Sequence, residues 1–308
     1  MSSLLQNKGF NIYLKSAYCN ENDPNLNSIK TRGVIYSLQQ LTAEQKSKGV
    51  IAISTGSFAY PLCSFGRRFG IPVTVVMPQD AAEERKVRMC RDLGARVIIK
   101  GRNITEAHVS ALRTAQAEGL FYLDGNDHPY MIVGQATFGI ELDEIRDEKG
   151  QMKKFPLDAV ILPTNINGCN LTMGLALAIK QWHPNIKIIE ICSEQNNSLI
   201  QDVRKQTLST TELKDSPRTF WGHKNIDCLP NCWINLFSTV SEKFVQKAAD
   251  LLLEKENIID SYAAIGLAAI LNGQLDDLKG KNVLIPLFGR MDSFMDLTNK
   301  PGSSREVN

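Results

Sequence analysis

Short, unbroken apolar runs alternate along this chain with longer stretches in which apolar residues return every three or four positions. The runs are 49–53, Val73 to Met77, Arg96 to Ile99, Ala159 to Leu162, Ile186 to Ile191 and Val283 to Leu287. A strand covered by helices on both faces reads as a continuous apolar run, so these segments predict buried strands of parallel sheets. Between them, Glu83 to Leu93 predicts a helix with one charged face. Thr105 to Glu118 sets Ala107, Ala111, Leu112 and Ala115 near helical spacing. Ser241 to Glu256 predicts an amphipathic helix with Ser241 as its N-cap and Val245, Ala248, Leu251 and Leu252 facing inward. Strands alternating with helices define the α/β class, with open, doubly wound, mostly parallel sheets. The polar stretch Asp143 to Gly150 reads as a helix end running into a loop. Thr207 to Asp227 reads as a long surface connection, and the tail from Asn299 as a frayed end. No internal repeat interrupts the pattern.

Composition narrows the function classes. A chain of 308 residues buries a sizeable core in one or two domains. Its net charge of +2 gives no basic footprint for nucleic acid or an anionic membrane. No apolar run is long enough to span a bilayer, and the first residues lack the basic start and apolar core of a signal peptide. Seven dispersed cysteines indicate reduced thiols and a cytoplasmic setting rather than a disulfide framework. Cys228 and Cys232 lie near His223 without a fourth ligand at zinc-type spacing, so no metal site is expected.

Chemistry enters with the order of five segments. Lys30 sits in Asn27-Ser28-Ile29-Lys30-Thr31-Arg32-Gly33. An apolar run then ends in Ser54-Thr55-Gly56-Ser57-Phe58. Asp124, Asp127 and Pro129 precede Gly134-Gln135-Ala136-Thr137-Phe138-Gly139-Ile140-Glu141. After the run ending at Leu162 comes Asn165-Ile166-Asn167-Gly168-Cys169-Asn170, and after the last run comes Phe288-Gly289. This series, over roughly 10–295, resembles the fold-type II pyridoxal-phosphate enzymes, the tryptophan-synthase-β superfamily of serine/threonine dehydratases, serine racemases and threonine synthases.

The resemblance implies two open α/β domains with the ligand cleft between them: 1–48 with 130–308 as the large cofactor-anchoring domain, and 49–129 as a small mobile one. Strand C-terminal ends are where open α/β sheets place their ligands. It further implies that Lys30 carries pyridoxal phosphate as a Schiff base, with Thr55 as an acid/base hydroxyl on the opposite face. Ser57 stands where the family's asparagine meets the cofactor ring, and Phe58 where histidine is common. The loop carrying Asn167, Gly168, Cys169 and Asn170 would cradle the phosphate, with backbone N–H groups at a helix N-terminus. Phe288 stands where a serine hydroxyl meets the pyridine nitrogen, and a phenyl ring cannot make that bond. Each of these residues also has a structural reading, as a cap, a loop residue or a core ring.

Two functions follow. One is a lyase of the dehydratase type, acting on a small hydroxy amino acid such as serine or threonine. The other is a degenerate member that keeps the fold as a binding or partner protein. A homodimer is compatible with either.

Overall fold

The computed structural model describes residues 9–18, 23–54, 56–142, 144–146, 152–164, 169–194 and 235–289. Two parallel sheets organise them. The larger has five strands in the order β1, β11, β8, β9, β10: Asn11–Ser16, Asn282–Leu287, Ala159–Thr164, Lys187–Ser193 and Leu236–Val240. The smaller has four, in the order β4, β3, β2, β5: Arg96–Ile99, Val73–Met77, Val50–Ile53 and Phe121–Tyr122. Every pairing within both sheets is parallel. The α/β, mostly parallel architecture expected from the apolar runs is what forms, and the central strands β3 and β8 are buried throughout.

The smaller sheet packs against α3 (Ala59–Phe69), α4 (Glu84–Asp92) and α5 (Ile104–Glu118). Ala107, Ala111 and Ala115 form the inner face of α5, which begins at Ile104 because Asn103 caps it by accepting from Glu106 N at 3.0 Å. The helix α8 (Glu242–Glu256) buries Val245, Ala248 and Leu252 as anticipated. Ser241 occupies its N-cap position but makes no side-chain capping bond. Its neighbour α9 (Ser261–Leu271) is buried along nearly its whole length between α8 and the larger sheet.

The first and last strands of the larger sheet in sequence are neighbours. β1 pairs with β11 from Asn11 opposite Asn282 to Ser16 opposite Leu287. α1 (Lys30–Gln40) then crosses α6 (Pro129–Ala136) at two glycines. A Cβ on Gly33 would lie 2.9 Å from Met131 O, and one on Gly134 would lie 2.6 Å from Arg32 O. Gly134 to Glu141 forms the end of α6 and a 3-10 turn over Thr137–Ile140.

One expectation is corrected. Within 143–150, Glu144–Arg146 is a strand, β6, paired antiparallel with β7 (Met152–Lys154), and not a helix end. The polar pattern carries no helical or strand period, so backbone pairing with a segment a few residues on decides the outcome. Cys228, Cys232, His223, the connection 207–227 and the tail from 299 lie outside the described residues.

Candidate active site

The ends of β2, β5 and β11 come together where Lys30 stands. Phe58 follows β2, the turn at 123–127 follows β5, and Phe288 follows β11. All three lie past C-terminal strand ends, the edge where ligands of open α/β sheets bind.

Lys30 is the first residue of α1, and that helix start is stitched to the end of β11. Ile29 N donates to Phe288 O at 2.8 Å, and Ser28 bridges Gly289. Gly289 adopts φ +102, and a Cβ there would fall 2.1 Å from Asn27 O, so only glycine allows the approach. Lys30 N donates to Ser28 Oγ at 3.2 Å, and Thr31 Oγ1 donates to Leu26 O at 2.8 Å. Arg32 anchors the next turn outward. It donates to Ala17 O, to Thr137 Oγ1 and to the Glu141 carboxylate, and its guanidinium lies 5.7 Å from the Phe138 ring centroid.

Lys30 is half-buried. Its Nζ donates to Asn126 Oδ1 at 2.7 Å and sits 5.7 Å from the Phe58 ring centroid. Burial pulls its pKa below the ordinary lysine value, against the opposing pull of the Asp124 and Asp127 carboxylates. A lysine so placed has a larger uncharged fraction at neutral pH than a surface lysine, which is what attack on a carbonyl needs.

The 54–58 turn folds on Ser54, whose Oγ accepts from Gly56 N at 3.4 Å and Ala59 N at 3.1 Å and so caps the start of α3. Ser57 is half-buried in this turn, and Phe58 is buried. Thr55, Asn167 and Gly168 lie outside the described residues. Cys169 and Asn170 open α7 (Cys169–Trp182), and only their backbone is described.

Phe288 is buried to 2 % exposure, with its ring 5.4 Å from that of Tyr262 and 6.4 Å from that of Phe138. Beside it, Asp260 caps α9. Its Oδ1 accepts from Ala263 N at 3.0 Å and its Oδ2 from Gly289 N at 2.8 Å. Burial pushes this carboxyl up to about 6 in spite of those donors. Asn126 was missed as a site residue by sequence reasoning. Asn126 lies between two noted aspartates, but nothing in the linear order shows that its amide reaches the lysine 96 positions away.

A scan against protein-family models matches residues 1–289 to the pyridoxal-phosphate dependent enzymes. The chain is 31 % identical over 294 residues to an L-threonine ammonia-lyase of Thermotoga maritima, covering 94 % of this chain and 69 % of the relative. It is likewise 31 % identical over 302 residues to a catabolic L-threonine dehydratase of Staphylococcus aureus, with 95 % and 81 % covered. Among solved structures, threonine deaminase isoform 2 of Solanum lycopersicum superposes with a TM-score of 0.76 at 25 % identity, over 96 % of this chain and 84 % of that one. Maize serine racemase, at 23 % identity and a TM-score of 0.74, shares the fold over 97 % of this chain and 89 % of its own. The chain belongs to the pyridoxal-phosphate dependent enzyme family, and the family implies that cofactor.

The residues fit the cofactor at its aldehyde end. The half-buried Lys30 carries an amine of lowered basicity, and Asn27 Oδ1, three residues before it, is buried without a partner among the described residues. At the Phe288 end the wall is apolar.

Proposed function

We propose that this chain eliminates water from a small hydroxy amino acid of the serine/threonine type, and that the enamine so formed tautomerises and is hydrolysed by water, releasing ammonia and a keto acid. The observation that carries the reading is the amine of half-buried Lys30, at the C-terminal strand edges, hydrogen-bonded at 2.7 Å and less basic than an ordinary lysine. The names of the curated relatives, ammonia-lyase and dehydratase, support the reaction type.

Lys30 would hold the cofactor covalently, Ser57 would face its ring, and the backbone at 167–170 would take its phosphate at the N-terminus of α7. When bound, pyridoxal phosphate supplies an electron sink for the pair left at the substrate α-carbon. Lys30 is the base that takes the α-proton onto Nζ, and the carboxylates of Asp124 and Asp127 steady the resulting ammonium. Phe58 excludes water from that amine. Thr55 stands as the hydroxyl for the opposite face. We place the two lobes at 1–48 with 130–308 and at 49–129, the cleft between them, and the enzyme in the cytoplasm as a homodimer. No helix among the described residues is long and apolar enough to cross a membrane.

The test is keto-acid release from serine or threonine by the purified protein supplied with pyridoxal phosphate. Wild type should release it, and Lys30→Ala should lose the activity by about a thousandfold or more. Equal release by both proteins, or none by either, contradicts the assignment.

A further inference from the structure

Lys30 is held before any carbonyl reaches it, and the holder comes from the other sheet's edge. Asn126 Oδ1 accepts from Lys30 Nζ at 2.7 Å. A tight turn presents this amide: Asp124 Oδ1 accepts from Asn126 N at 2.8 Å and from Asp127 N at 3.1 Å. The turn hangs from β2 through Leu123 N donating to Ile51 O at 2.9 Å. Gly125 lies flat against Phe58, where a Cβ would come within 2.6 Å of the ring, and the same ring faces the amine.

The chemistry of the acceptor matters. A carboxylate in this position would keep the amine as an ammonium, which has no lone pair for a carbonyl. An apolar side chain would leave a buried N–H unsatisfied. A neutral amide oxygen fixes the long side chain without adding a charge. The charged groups that bear on Lys30 are Asp124 and Asp127. Arg32, two residues on, is turned to Thr137 and Glu141, and His128 Nδ1 accepts from Tyr130 N. Asp23, ahead of α1, accepts from the Tyr60 hydroxyl.

We propose that Asn126 is a positioning residue that parks the Lys30 amine on a neutral acceptor, poised for transfer to an incoming carbonyl. Its use in catalysis rests on the role proposed for Lys30, but its effect on Lys30 is measurable without cofactor. The side-chain resonances of isotope-labelled lysines are titrated by NMR, with Lys30 assigned from its absence in Lys30→Arg. Asn126→Asp should raise the Lys30 midpoint by about one pH unit or more, a tenfold loss of uncharged amine at a given pH. Asn126→Leu should lower it, because burial then acts on an amine with one polar partner fewer. Asn126→Gln, which keeps an amide, should restore a midpoint nearer wild type than either. The exposed Lys100 should not move in any variant. Unchanged Lys30 midpoints in both the aspartate and leucine variants, with circular dichroism intact, would overturn the proposal. The midpoint of borohydride trapping with pyridoxal phosphate should follow the same order. If the NMR midpoints shift as stated while wild type traps no cofactor, Asn126 keeps its role and the carbonyl-capturing reading of Lys30 falls.

Discussion

Phe288 places a hydrocarbon ring at the end of β11, packed on Tyr262 and Phe138. A pyridine nitrogen buried against it loses a hydrogen bond, a cost of about 1–3 kcal/mol, or roughly ten- to a hundredfold in affinity. Phe288→Ser should therefore bind pyridoxal phosphate more tightly by that factor, read by absorbance titration. It should also be less stable by about 3–5 kcal/mol in urea denaturation, because the ring leaves a cavity between two others. A stability loss with unchanged affinity would put Phe288 in the core but outside the cofactor's reach. Asp260 makes a prediction about pH. Its pKa rises from 3.8 unfolded to about 6 folded, so in that window the folded state binds a proton that the unfolded state does not. Its stabilising contribution is thus present at low pH and is lost as pH rises through about 6, by about 2–3 kcal/mol. Asp260→Asn should flatten that slope between pH 4 and 6, as seen in denaturation midpoints across the range. It should also lower stability at every pH, because an amide nitrogen cannot accept from Gly289 N. A slope equal to wild type would assign the titration elsewhere.

At the scale of elements, the crossing of α1 and α6 sets where Lys30 points. The crossing is close because Gly33 and Gly134 leave no side chain between the backbones. Gly134→Val forces overlap with Arg32 O and Tyr36 Cβ, and should destabilise the protein by about 2 kcal/mol or more. It should also lower cofactor affinity, since α1 is displaced one turn from the lysine; a variant as stable as wild type would remove the crossing from the account. Strand elements were legible in the sequence because burial on both faces writes itself as continuous apolar runs, and β3 at 73–77 matches its run residue for residue. Helix α5 was legible through its alanine spacing. The hairpin of β6 and β7 was not, since its strands take their form from each other rather than from a period of their own. Gly134 was legible as part of a motif, but the partner it packs on, the Arg32 carbonyl, was not.

At the scale of the whole molecule, segments far apart in sequence make the site. β1 and β11 pair in parallel, and Ile29 bonds Phe288, so the helix that starts at Lys30 is tied to the end of β11. Sequence order suggested that these segments meet, because the motifs occur in the order of the family they resemble. The contacts that tune the lysine, to Asn126 and Phe58, depend on turns whose geometry no local pattern encodes. The central claim is that Lys30 is the residue that takes the cofactor. The direct measurement is to incubate the protein with pyridoxal phosphate, reduce with borohydride, digest, and locate the added mass by peptide mass spectrometry. The account predicts one modified lysine, Lys30, with no specific modification in Lys30→Ala. Modification at another lysine that survives that substitution would contradict it.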